Sequence, residues 1–190
     1  INFAPVVDIN TNPKNPVIHT RSFGENKERV TKFASAYMRG MQDGGIYASA
    51  KHFPGHGDTD VDSHRSLPIL PFSRERLDSL ELYPFKSLID EDVAMVMIGH
   101  LFIPSLDTIV STLSHKVVTK LLKEEMKFDG IVVTDALNMK GVSSTLRPSE
   151  VTLAAYKAGV DLLLMPNEVK RSIDMIVAAV ESGECSMEDL

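Results

Sequence analysis

Lys51-His52-Phe53-Pro54-Gly55-His56-Gly57-Asp58-Thr59-Asp60-Val61-Asp62-Ser63-His64 places three histidines and three aspartates within fourteen residues. Pro54, Gly55 and Gly57 shape it as a loop. Within it, Asp62 and His64 read as a dyad. A carboxylate beside an imidazole favours the protonated ring and raises its pKa, which suits a general acid working near neutrality. A zinc or manganese site is the competing reading of so many histidines and aspartates. The spacing matches no helical i, i+4 His pair and no Cys assists, so no metal is assigned. Asp58 and Asp60 read as solvated or locally hydrogen-bonded loop residues.

The partner such an acid needs stands elsewhere in the chain. Asp135 follows the apolar run Ile131-Val132-Val133-Thr134. A carboxylate held at a rigid strand end can attack a carbon while the acid protonates the leaving oxygen, which is the division of labour in glycoside cleavage. Asp8, Lys51, His52 and His100 end other apolar runs in the same way, and in parallel α/β folds active sites are built along that edge. Any one of them alone would read as a helix cap or a core hydrogen bonder. Four strand ends in agreement outweigh that. His100 is the weakest of the set, because a purely structural role would also explain it.

The elements that must position these groups are visible as five apolar runs, 1–9, 46–51, 93–98, 130–134 and 160–165, each followed by a stretch of helical periodicity. That is βαβα order with near-continuously apolar strands, as in a parallel sheet covered on both faces. Val30, Phe33, Ala34, Tyr37, Met38 and Met41 place a helix over 26–43, stopped by Gly44-Gly45. Ser73, Ser114, Ser149 and Asn167 are the expected N-caps of later helices, the last carrying a Val169, Ile173, Ile176, Val177, Val180 stripe. These stripes are expected in the core. The long irregular stretches are 10–25 and 52–72. The loop 53–66, rich in Gly and polar residues, is expected to have little apolar burial and to be mobile without ligand. Spacing alone leaves an open sheet and an incomplete barrel as alternatives.

Composition narrows the class. The 190 residues are 43% hydrophobic and carry a net charge of -6, so one sizeable core is expected and no basic stripe for nucleic acid is present. No apolar run approaches the roughly 20 residues that span a bilayer. The single Cys185 excludes an internal disulfide framework and fixes no compartment, so localisation is left unknown. Ile1-Asn2-Phe3-Ala4-Pro5-Val6-Val7 reads as the middle of a domain, and the natural protein is expected to start upstream.

Phe3-Ala4-Pro5-Val6-Val7-Asp8, Arg21-Ser22-Phe23-Gly24, Lys51-His52-Phe53-Pro54-Gly55-His56-Gly57, Asp62-Ser63-His64 and Thr134-Asp135-Ala136-Leu137-Asn138-Met139 together resemble glycoside hydrolase family 3, specifically its bacterial β-N-acetylglucosaminidase (NagZ-type) branch. The resemblance implies an α/β fold, the (β/α)8 TIM-type barrel, of which residues 1–190 would be a partial catalytic domain with the later five βα units. It implies Asp135 as nucleophile, His64 as acid/base held by Asp62, and Arg21, Lys51 and His52 as binders of sugar hydroxyls. The expected substrate is terminal, non-reducing β-linked N-acetylglucosamine of glycans or muropeptides, cleaved with retention and without a cofactor. A β-glucosidase of the same family, or a sugar-binding fragment without turnover, are the alternatives. The family's early strands, with an Asp followed by Glu-Gly-Gly, have no counterpart in this chain. A further domain in the full-length protein is compatible with the match.

Overall fold

A computed structural model describes residues 1–63, 66–143 and 146–187. Three strands, β1 (Ser49–Phe53), β2 (Met95–Ile98) and β3 (Ile131–Thr134), form a parallel sheet in that order. The runs expected as outer strands lie in place but join by single bridges, Asn2 to Ala48 and Val6 to Lys51 on one side and Val133 to Leu162 on the other. The reasons are local. Pro5 has no N–H to give to a ladder. Beside β3, Val132 N–H donates to the Asp161 carboxylate and Leu164 N–H to Thr134 Oγ1, so side chains replace backbone partners. Five parallel segments in chain order remain, the arrangement of part of a (β/α) barrel.

Alternation along the strands sorts two clusters. Ala50, Val96, Ile98 and Val132 face a large core shared with the helices, where Phe53 meets Phe85 edge to face at 5.2 Å. Met95, Met97 and Val133 face the other way, joined by Phe3 and Leu164. β2 is buried on both faces, as its apolar run requires.

Helix α1 (Lys27–Asp43) starts where Asn26 accepts from Arg29 N–H at 2.8 Å. It stops where Gly45, at φ +77, lets its N–H reach the Gln42 carbonyl and Ile46 N–H reach that of Met41. Val30, Ala34 and Met38 are buried, but Phe33 and Tyr37 are 46% and 47% exposed, contrary to their expected core role. Phe33 instead stacks on Phe23 with ring centroids 5.9 Å apart.

Ser73 caps α2 (Arg74–Ser79), which leads into α3 (Tyr83–Ile89). Ser114 Oγ accepts from Val117 N–H at the head of the π-type helical segment Lys116–Glu125. Two expected caps are displaced. After the short α4 (Lys140–Ser143), α5 (Pro148–Lys157) is capped at Arg147, with Ser149 buried inside its first turn. The cap of α6 (Val169–Glu181) is Glu168, one residue after Asn167. Helix α6 meets α5 through Ser172, whose Oγ donates to Thr152 Oγ1 at 3.2 Å, and buries Ala179, whereas Val169, Ile173 and Val177 of its apolar stripe stand exposed. No helix among the described residues is long and apolar enough to cross a membrane.

Candidate active site

The site begins at the carboxyl end of β1. The register against β2 slips between Lys51 and Phe53, so two residues of β1 oppose one step of β2. Such a bulge re-aims side chains, and here the consecutive Lys51 and His52 both line one pocket. Asp8, buried beneath them, orients the second: His52 Nδ1–H donates to its Oδ2 at 2.7 Å and His52 N–H reaches both carboxylate oxygens at 3.2 Å. The imidazole is thereby left with Nε2 for the pocket. Arg21 lies on the short 3-10 turn His19–Arg21, where its Nη1–H donates to Val17 O at 3.3 Å. Burial, and then the Arg21 guanidinium, push the Lys51 ammonium below its usual pKa, while Asp135 and Asp8 resist.

Asp135 stands one residue beyond β3. Its N–H donates to Ile98 O at 2.9 Å, and its Oδ1 accepts from Ala136 N–H at 2.8 Å. Among the described residues no hydrogen bond engages Oδ2. Burial acts to raise its pKa, but His52, His100, the Ala136 N–H and Lys51 together outweigh this and hold the group below the ordinary carboxylate value. These neighbours favour its ionised form.

Arg21, Lys51, His52 and Asp135 thus share one pocket, with Phe3, Val17, Met97 and Leu164 as its apolar wall and Ser63 at its margin. His100 does not line it. That residue is fully buried beneath, with Nε2 3.0 Å from Ala136 O. Asp62 is half-buried and has an interaction partner, and His64 lies outside the described residues.

The loop that carries the dyad is more firmly seated at its start than its composition implies. Residues 53–57 are buried, as are Thr59 and Ser63. His56 is the centre of this packing. Its N–H donates to Asp8 Oδ1 at 2.7 Å, its carbonyl accepts from Asn15 Nδ2 at 2.8 Å, and its ring nitrogens lie 3.0 Å from Thr59 Oγ1 and from Ser63 Oγ. Burial, aided by His52, pushes its pKa down to about 4. From outside, Arg76 bridges Asp58 at 3.1 Å and Glu81 at 2.8 Å. Gly141 N–H then binds Ser63 O at 3.1 Å, tying this loop to the turn after Asp135. The expectation of little burial in 53–66 therefore fails for this portion.

The chain matches the glycosyl hydrolase family 3 N-terminal domain model along residues 1–190. It belongs to that family. It is 37% identical to β-hexosaminidase A of Pseudoalteromonas piscicida, covering 100% of this chain and 36% of that protein. It is 36% identical to β-hexosaminidase LpqI of Mycobacterium tuberculosis, covering 98% of this chain and 50% of that one. Among solved structures, a family 3 β-N-acetylglucosaminidase from Paenibacillus sp. str. FPU-7 superposes with a TM-score of 0.94 at 46% identity, over 99% of this chain and 37% of that one. The chain thus spans half or less of the length of these relatives.

Within this family 3 domain, the described residues hold no group of three or more His, Cys, Asp or Glu side chains able to bind a metal ion. The sequence marked Asp8 and His56 without their roles. Their partnership spans 48 positions, and no periodicity reports a contact of that range. The one available signal was that Asp8, like Asp135, ends an apolar run.

Proposed function

We propose that this chain carries the nucleophile and the acid/base dyad of a retaining β-N-acetylhexosaminidase acting on terminal, non-reducing β-linked N-acetylglucosamine, including that of peptidoglycan fragments. The observation that carries the reading is that Asp135, Lys51, His52 and Arg21 line one pocket, where the neighbours hold the Asp135 carboxyl below its ordinary pKa. The β-hexosaminidase and β-N-acetylglucosaminidase names of the relatives support the choice of sugar.

In this mechanism an Asp135 oxygen attacks the anomeric carbon as the bond to the aglycone oxygen breaks and His64, supported by Asp62, gives that oxygen its proton. The sugar is then an ester of Asp135. Water attacks the same carbon, His64 takes the water's proton, and the carboxylate leaves. Arg21, Lys51 and His52 donate to sugar hydroxyls, contacts that strengthen as positive charge grows on the ring. No metal or organic cofactor enters these steps.

Asp135→Asn in the full-length protein tests the reading, with a chromogenic N-acetylglucosaminide and the matching glucoside as substrates. Unaltered protein should prefer the former, and the variant should lose several orders of magnitude in turnover while still folding. Near-normal release of N-acetylglucosamine by the variant would overturn it, and preference for the glucoside would move the substrate to a β-glucoside.

A further inference from the structure

Among the buried titratable groups with no part in the mechanism above, one touches the residue that follows the nucleophile. His100, two residues beyond β2, is fully buried, with Nε2 3.0 Å from Ala136 O and Nδ1 2.7 Å from Thr112 Oγ1. A carbonyl only accepts, so Nε2 carries a proton. Thr112 Oγ1 is also placed to donate to Gly99 O at 3.1 Å. Its one hydroxyl hydrogen can serve Gly99 or His100 Nδ1, not both. In the first case the ring is an imidazolium, in the second it is neutral, and in both cases Nε2–H stays on Ala136.

Ala136 is consequently gripped from both ends. Its carbonyl receives Nε2–H of His100 and, at 3.0 Å, Met139 N–H, while its own N–H binds Asp135 Oδ1. Gly141 packs against the base of the same side chain, where an added Cβ would lie 3.3 Å from His100 Cβ. We propose that His100 is a positioning residue for the nucleophile: by fixing Ala136 it holds Asp135 Oδ1 and so presents Oδ2 to the anomeric carbon. The inference rests on the reading of Asp135 as nucleophile. The electrostatics agree with it, since His100 stands with His52 and Lys51 among the groups that keep Asp135 ionised against burial.

The test is the burst of nitrophenol that reports formation of the glycosyl-enzyme from a nitrophenyl N-acetylglucosaminide, measured on the full-length protein. His100→Met fills the space without a donor and should slow the burst on the order of 10²-fold, the scale of a misplaced reacting group. Binding of N-acetylglucosamine as a competitive inhibitor should hardly change. His100→Gln, whose amide can still donate to Ala136 O, should recover most of the rate. An unchanged burst in His100→Met would overturn the proposal, as would a His100→Gln variant as slow as the Met variant while both melt like the unaltered protein. If the Met variant does not fold, the Gln variant decides: a retained rate supports the proposal and a lost rate overturns it. Asp135→Asn run in parallel separates the two levels, since a normal burst there would sink the nucleophile assignment and this inference with it.

Discussion

His56 shows how a residue can sit inside a catalytic motif and serve its framework. Its ring is buried between two hydroxyls and kept neutral, with a pKa of about 4 against 6.5 in an unfolded chain. Between those values the unfolded state binds a proton that the folded state refuses, so stability falls as the pH is lowered from 6.5 to 4 and changes little from this group outside that window. The full effect is about 3 kcal/mol. His56→Gln removes this proton uptake. Thermal unfolding of the full-length protein should therefore show the unaltered protein far more stable than the variant at pH 7 and much less so at pH 4.5. A constant difference between them at both pH values would contradict the neutral, buried state of the ring. Residue types in the Lys51–His64 stretch singled out Asp62 and His64 as a dyad, and strand-end position singled out Lys51 and His52, which the structure sets along one pocket. Neither could say that Asp8 organises two histidines of that stretch, because the contacts that make it do so cross more than forty positions.

Among the elements, the tightest constraint joins the chain after the first parallel segment to the loop after β1. A Cβ on Gly57 would lie 1.9 Å from the Ile9 carbonyl oxygen and 2.4 Å from its carbon, and a backbone cannot swing aside as a flexible side chain can. Gly57→Ala should cost at least about 2 kcal/mol, which for a domain of this size lowers the melting temperature by about 4–8 °C. Gly40, inside α1 with nothing within 4 Å of an added Cβ, is the internal contrast, where alanine should stabilise by about 0.5–1 kcal/mol. Scanning calorimetry of the two variants checks the pair, and equal melting temperatures would refute the steric account. Helix α1 and the cap at Ser73 were legible because they depend on neighbours three and four positions away. The cap of α5 was not, because Ser149 is taken into the helix by Pro148 at its first position.

At the scale of the whole molecule, five parallel segments in chain order bring their carboxyl ends to one rim, and that ordering was readable from the alternation of apolar runs with helical periodicity. Which apolar residues would be covered was not. The stripe of α6 has a helical period yet lies largely exposed, because periodicity reports a face and not what packs on it. The rim sets Asp135 on the pocket wall above Met97 and Leu164, at the top of the cluster on the sheet's other face. Everything in the functional account converges on that carboxylate forming a bond to sugar. The most direct measurement is incubation of the full-length protein with an N-acetylglucosamine analogue fluorinated so that the second step is slow, followed by proteolysis and mass spectrometry. The account predicts one glycosylated peptide with the sugar esterified to Asp135. A label on any other residue, or turnover with no covalent intermediate, would contradict it.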